Sequence, residues 1–169
     1  YRDGKPHGIW FFYNRSGVLL SKTSYKNGVY DGAYESYFPN GNIEYAGFYR
    51  NGKKQGEWMR YDHKSRIMRY EVFLDGELNG ERINWGVGGI RMNEQDFVAG
   101  KISGLHYTWN YNGMIQSVGN VENNKSSGLW RFFTATGRLS GMGYYKDGLL
   151  NGKYYEFPGP LTMVVGKHV

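Results

Sequence analysis

The sequence predicts an all-β chain, an elongated, twisted single sheet of about seven stacked β-hairpins. Three observations carry that expectation: glycine returns at a fixed spacing, turn-forming pairs return with it, and the segments between are aromatic and β-branched. Gly8, Gly32, Gly56, Gly80, Gly104, Gly128 and Gly152 stand 24 residues apart with no insertion or deletion. A second column lies four residues upstream at Gly4, Gly28, Gly52, Gly76, Gly100 and Gly148, with Asn124 in its gap. A third holds Gly17, Gly41, Gly89, Gly113 and Gly137, with Ser65 and Leu161 as exceptions. Seven units (1–24, 25–48, 49–72, 73–96, 97–120, 121–144 and 145–169) account for all 169 residues, so a single repeat domain, 1–169, is expected with no linker.

Each unit contains two reversals. Asp3, Asn27, Asn51, Asp75 and Asp147 precede glycines of the second column, and such Asn-Gly and Asp-Gly pairs suit a tight turn with glycine at positive φ. Asn124 fits the same place, because Asn tolerates the left-handed region best after Gly. The other reversal is clearest in Phe38-Pro39-Asn40-Gly41, where Pro presets a type I turn and Gly supplies the bulge of a hairpin. What remains is two segments of strand length per unit.

The apolar columns fill those segments. Two residues after the first glycine column come Trp10, Tyr34, Trp58, Arg82, His106, Trp130 and Tyr154. Five after it come Tyr13, Tyr37, Tyr61, Trp85, Trp109, Phe133 and Phe157. The second segment carries Leu19, Ile43, Ile67, Ile115, Leu139 and Met163, then Tyr25, Tyr49, Phe73, Phe97, Val121, Tyr145 and Val169. Glycine this frequent leaves no window for an amphipathic helix. Two ring columns three residues apart would face opposite sides of a flat pleat, so a kink at the glycine that turns both inward is expected, against the alternative of a sheet apolar on both faces. At the far end, Pro158-Gly159-Pro160 reads as a modified closing hairpin that discourages edge pairing.

Composition excludes several classes. With Gly 26, Tyr 16, Phe 9, Trp 5 and aromatics at 18%, the chain is neither disordered nor collagen-like. Cys 0 removes disulfides, thiolate nucleophiles and cysteine metal sites. No apolar run approaches the ~20 residues that span a bilayer, and the expected location is the cytoplasm. A signal sequence ahead of Tyr1 would instead direct it to the periplasm or cell envelope.

The pattern Tyr-x-Asn-Gly-x3-Gly-x-Trp/Tyr-x2-Tyr is plain in Tyr25 to Tyr37 and in Tyr49 to Tyr61, and it resembles the MORN repeat in its bacterial 24-residue variant. The resemblance covers all seven units and implies rows of β-hairpins. It further implies a function of the kind held by the similar YwqK family, antitoxin or immunity proteins that bind a cognate protein toxin. Eukaryotic MORN proteins imply the alternative, a structural scaffold that self-associates as a homodimer or lies on an anionic membrane surface.

No catalytic constellation is apparent, and a non-enzymatic protein without cofactors is expected. His7, His63, His106 and His168 fall in different units with no metal-ligand spacing, and Gly86-Val-Gly-Gly89 lacks the Lys and Ser/Thr of a phosphate loop. The net charge of +6 suits an anionic partner. Arg60, Lys64, Arg66 and Arg69 concentrate that charge in unit three, followed by Glu71, Asp75, Glu77, Glu81, Glu94 and Asp96. Unit four departs most from the repeat: Arg82 replaces a ring, and Arg91 occupies the apolar place that Ile90 precedes. Arg82, Trp85 and Trp109 are therefore added to the four basic residues as candidate partner anchors. Nucleic acid is disfavoured as a partner, since the aromatic columns are too regular to be spared by the core. A basic chain also cannot inhibit a nuclease toxin by mimicking its substrate.

Overall fold

The structure, a computed structural model, describes residues 1–159 and 162–167. Every regular element among them is a β-strand. These are β1 (Gly8–Tyr13), β2 (Leu19–Lys26), β3 (Val29–Tyr37), β4 (Ile43–Arg50), β5 (Lys53–Tyr61), β6 (Ile67–Leu74) and β7 (Glu77–Trp85). They continue as β8 (Arg91–Val98), β9 (Lys101–Trp109), β10 (Ile115–Glu122), β11 (Lys125–Phe133), β12 (Leu139–Lys146), β13 (Leu149–Gly159) and β14 (Thr162–Lys167). The chain divides into two compact units, Tyr1–Gly80 and Glu81–Val169, with the division inside β7. In the first unit β1 to β6 pair antiparallel, each with the next in sequence. In the second, β8 to β14 do the same. The all-β hairpin architecture expected from the repeat is thus the one the chain adopts.

The two reversals have the expected chemistry. Asn27 and Gly28 lie at φ 52° and 88°, and Asn51 and Gly52 at 48° and 77°, the doubly left-handed backbone of a type I′ turn. Asn123 and Asn124 adopt it at 50° and 67° without glycine. Ala99 takes the first position of the same turn at φ 47°, where its Cβ crowds the following carbonyl and has no polar side chain to compensate. In the other reversal Gly41 N–H donates to Phe38 O at 2.9 Å and Phe38 N–H to Asn42 O at 2.8 Å. Ser65 fills the glycine place of that turn at φ 61°. The type I′ turns also stitch neighbouring hairpins: Gly52 N–H donates to Tyr30 O at 2.7 Å and Gly76 N–H to Lys54 O at 2.9 Å. At the far end β13 and β14 do form a hairpin, with Pro158 in an irregular stretch between Glu156 and Gly159; Pro160, Leu161, His168 and Val169 lie outside the described residues.

The strand kinks at the glycine column, as expected. Thr23 pairs with Tyr34 and Tyr25 with Tyr30, so two steps along β2 face four along β3, around Gly32 at φ 117°. The same two-against-four irregularity recurs in β4 and β5, β8 and β9, β10 and β11, and β12 and β13. The kink does not, however, bring both ring columns to one face. Trp10 stacks on Phe12 and Trp130 on Phe132, two residues further on. Tyr37 instead donates to Glu35 Oε2 at 2.5 Å, and Tyr61 to Met59 Sδ at 3.1 Å, two residues back. The two-against-four bulge precedes both ring positions, and the later register shift between Ser36 and Tyr37 puts its extra residue on β4, so β3 keeps its alternation and the two rings face opposite ways. In each unit the face bearing Trp10, Tyr34 and Trp58, or His106, Trp130 and Tyr154, is called the front.

The front carries most of the tightly buried rings. Trp58 is 3% exposed; it stacks on Tyr34 at 5.7 Å and meets Tyr49 and Phe73 edge-on at 5.0 and 6.3 Å. Such pairs contribute about 0.5–1.5 kcal/mol each beyond burial. The close approach is possible because Gly47 lies under the indole of Trp58, and Gly119 under that of Trp130, where a Cβ would overlap the ring. The indole N–H groups then reach the next carbonyl, Trp58 to Phe48 O at 3.2 Å and Trp130 to Asn120 O at 3.0 Å. Thr23 and Gln95 hold the same place in their strands; on the strand that follows, Thr23 pairs with Tyr34 and Gln95 with His106, while Thr23 also pairs with Trp10 on the strand before.

Gly47→Ala and Gly119→Ala should each destabilise the fold by about 2–3 kcal/mol in urea titrations followed by tryptophan fluorescence. Gly41→Ala, in open space but at positive φ, should lose about 1 kcal/mol. Ala99→Asn should instead stabilise by about 0.5–1 kcal/mol, read in the same titrations.

Candidate partner-binding site

The basic residues of the first unit separate into two groups. Arg60 of β5 pairs directly with Arg69 of β6 on the front face. The Arg60 guanidinium lies 5.5 Å from the Tyr45 ring centre, and Arg69 Nη1 is 3.9 Å from Glu71 Oε1. Lys54 Nζ sits 4.2 Å above Trp58 and 4.7 Å above Phe73. Burial holds its ammonium below the ordinary lysine value; Glu71 opposes that shift and Arg69 adds to it. These side chains form a charged margin beside the buried rings.

Lys64 and Arg66 belong instead to the turn between β5 and β6. Asp62 Oδ1 accepts from the backbone N–H of Lys64 at 2.8 Å and of Arg66 at 3.0 Å. Asp62 Oδ2 accepts from Arg66 Nε at 2.8 Å and faces Arg66 Nη2 at 2.7 Å. The Arg66 backbone N–H, and next its guanidinium, pull the Asp62 carboxyl down to about 2. Arg66 is thereby committed to its own turn, while Lys64 is exposed at the tip.

In the second unit Arg82 donates to Gln95 Oε1, and its guanidinium lies 4.5 Å from the Phe97 ring centre. Gln95 is 8% exposed, and its Nε2 lies 3.5 Å from His106 Nε2. His106 meets Trp130 edge-on at 5.7 Å. Burial first, and the Arg82 charge second, hold the His106 imidazole below its ordinary value, so the neutral ring is favoured. This front-face cluster replaces the ring-on-glycine contact with hydrogen bonds. Trp85 and Trp109 sit five residues after their glycines and face the other way; Trp109 stacks on Tyr107 at 5.6 Å, under Arg91 at 5.9 Å. Arg82 therefore shares no face with Trp85 or Trp109, and the three do not form one anchor cluster. Arg91, in the place of an apolar residue, pairs with Glu94 at 2.5 Å. Glu81 is held above the usual carboxylate range, chiefly by burial and then by Glu94.

Two features escaped the sequence reading. One is the column Thr23, Gly47, Glu71, Gln95, Gly119 and Gly143, whose 24-residue spacing was there to be found, since its glycines seat the rings. The other is the polar column pair beside it: Asn84 Nδ2 donates to Asn93 Oδ1 at 2.6 Å, and the Thr108 and Ser117 hydroxyls lie 2.7 Å apart. Among the described residues no three His, Asp or Glu side chains stand together as a metal site, and no helix is long and apolar enough to cross a membrane.

Fold and surface together define a class, the β-hairpin repeat proteins that act as binding or scaffold modules. Residues 6–27 and 30–51 match the family described as MORN repeat variant, so these two stretches are MORN-type repeats. No curated protein matches the chain.

Asp62 should titrate at about 2 in carboxyl NMR. Its folded value lies below the ordinary 3.8, so its stabilisation is complete above that value and is lost as pH falls towards 2; Asp62→Asn should remove this part of the acid dependence. His106 is depressed as well, so stability should also decline as pH falls below about 6.5, and His106→Gln should flatten that decline in pH-dependent urea titrations.

Proposed function

We propose that this chain is a non-enzymatic module that binds another protein, and, within that class, an immunity or antitoxin protein that neutralises a cognate bacterial toxin by covering its working surface. One observation carries the binding reading. Arg60 and Arg69 stand side by side on a hydrogen-bonded strand pair, Arg69 with 42% of its side chain exposed, next to rings whose positions the fold has already fixed. Arginine and aromatic groups held on a rigid ladder lose little freedom on binding, which is what makes such residues dominant contacts in protein interfaces.

The narrower antitoxin reading is supported by the 24-residue length of the unit, which resembles the bacterial variant of the MORN repeat. Neutralisation by occlusion needs no reacting group on the chain. The basic charge directs the reading to a toxin with an acidic face, or one blocked by shape, and away from mimicry of a nucleic acid substrate.

Co-expression with the product of a neighbouring gene should give a stable 1:1 complex by size exclusion with light scattering, together with protection of cells from that product. A complex without protection would retain the binding module and remove the antitoxin role. Failure to recover any protein partner, with sedimentation on anionic liposomes instead, would overturn both.

A further inference from the structure

Antiparallel pairing lays out one row on the face of the second unit opposite the front. Glu94 pairs with Tyr107, Tyr107 with Val118, Val118 with Arg131, Arg131 with Met142 and Met142 with Tyr155. Directly paired residues share a face. Leu105, Leu129 and Tyr144 stand two residues from members of the row and continue the same face, with Leu129 and Tyr144 paired. Tyr144 is 57% exposed and Leu105 49%, whereas β10 buries Ser117, Gly119 and Val121 on the front. Much of this apolar surface is therefore open to solvent, and Arg131 stands exposed in its midst. Of the four arginines in the second unit, three engage their guanidinium groups within the fold: Arg82 with Gln95 and Phe97, Arg91 with Glu94, and Arg138 with the Phe157 carbonyl at 2.9 Å. The Arg131 side chain makes no hydrogen bond, ion pair or ring contact among the described residues. At the equivalent place in the first unit, Glu35 has Lys22 directly opposite, with the two charges 3.5 Å apart. Arg131 has Val118 and Met142 opposite instead.

We infer that this face docks a partner protein that presents one Asp or Glu side chain ringed by apolar groups, the carboxylate received by Arg131 and the apolar groups by Leu129, Met142 and Tyr144. The inference rests on the protein-binding reading above and adds a second surface to it. Burial of apolar area drives the contact, and Tyr, Met and Arg are the residues that interface centres favour. Arg131 supplies the selection. A wholly apolar partner would bury the guanidinium without a counter-charge, which is strongly disfavoured. A partner carboxylate matches the guanidinium fork and removes that penalty. A second copy of the same face cannot supply it readily, because the acids there are engaged: Glu94 with Arg91, and Asp96 Oδ2 with the Leu105 N–H at 3.2 Å. Nucleic acid fits poorly as well. The next cation on the face, Lys153, lies two residues before Tyr155 on β13, so repeated phosphates would meet two separated charges in an apolar field.

Random peptides displayed on phage, selected against the full chain, provide the probe, and the affinities of those selected are measured by fluorescence anisotropy. Their sequences should share one Asp or Glu flanked by apolar residues. Arg131→Gln should weaken binding about tenfold or more, and Tyr144→Ala by a similar factor. Lys26→Gln, in the first unit, should leave binding unchanged, with far-UV circular dichroism the same in every variant. Reversing both charges, Arg131→Glu in the chain and the shared acid to Lys in the peptide, should recover most of the affinity that either reversal alone removes. Selected peptides without a shared acid, indifference to Arg131→Gln, or no recovery on double reversal would overturn the surface. Self-association of the chain that Arg131→Gln abolishes would overturn it in favour of a second copy. Peptides that ignore Arg131→Gln and respond to Arg60→Gln would overturn it too, while leaving the binding module standing. An empty selection overturns the surface alone; the module falls with it only when co-expression also yields no protein complex.

Discussion

A large flat ring can lie against a β-strand only where the strand beneath it has no side chain in the way, and the rest of this structure depends on that constraint. Trp58 over Gly47 and Trp130 over Gly119 are its two clearest cases, each completed by an indole N–H that reaches the next carbonyl along. The contact joins a strand of one 24-residue unit to a strand of the unit before it. Adjacent hairpins are thereby held by ring burial as well as by ladder hydrogen bonds. The turn amides add a second link at the margin, from Gly52 to Tyr30 and from Gly76 to Lys54.

Much of this was legible in the sequence because glycine and Asn/Asp carry backbone information directly. The type I′ turns at Asn27-Gly28 and Asn51-Gly52 follow from the dipeptides themselves, as does the bulged turn at Gly41. Facing was harder. The kink at Gly32 was readable from a glycine inside a strand, but its effect on Tyr34 and Tyr37 depends on which side of the bulge they fall, and both follow it. The ring-supporting column was missed because the aromatic residues do not themselves reveal what they rest on; Gly47 and Gly119 occur in the second strand of a unit, across a turn from the rings they support in the next unit.

The candidate binding residues show the same division between composition and placement. Clustering of basic residues in unit three was visible, yet two of the four named there serve different purposes: Arg66 closes its own turn with Asp62, and Arg69 faces Arg60 across the sheet. Arg82 looked like a surface anchor because it replaced a ring. In the structure it maintains the inner stripe by other means, through Gln95 to His106 and over Phe97. A substitution inside a repeat thus calls for its partner to be found before a function is assigned to it.

The most direct test of the ring-on-glycine constraint is a double-mutant cycle on Gly47→Ala and Trp58→Leu, with stability measured in urea. If the constraint governs, the added methyl should lose most of its effect once the indole is gone, leaving a coupling energy of about 2 kcal/mol. Equal destabilisation by Gly47→Ala in the Trp58 and Leu backgrounds would contradict the account, because the glycine would then be required for some reason other than the ring it carries.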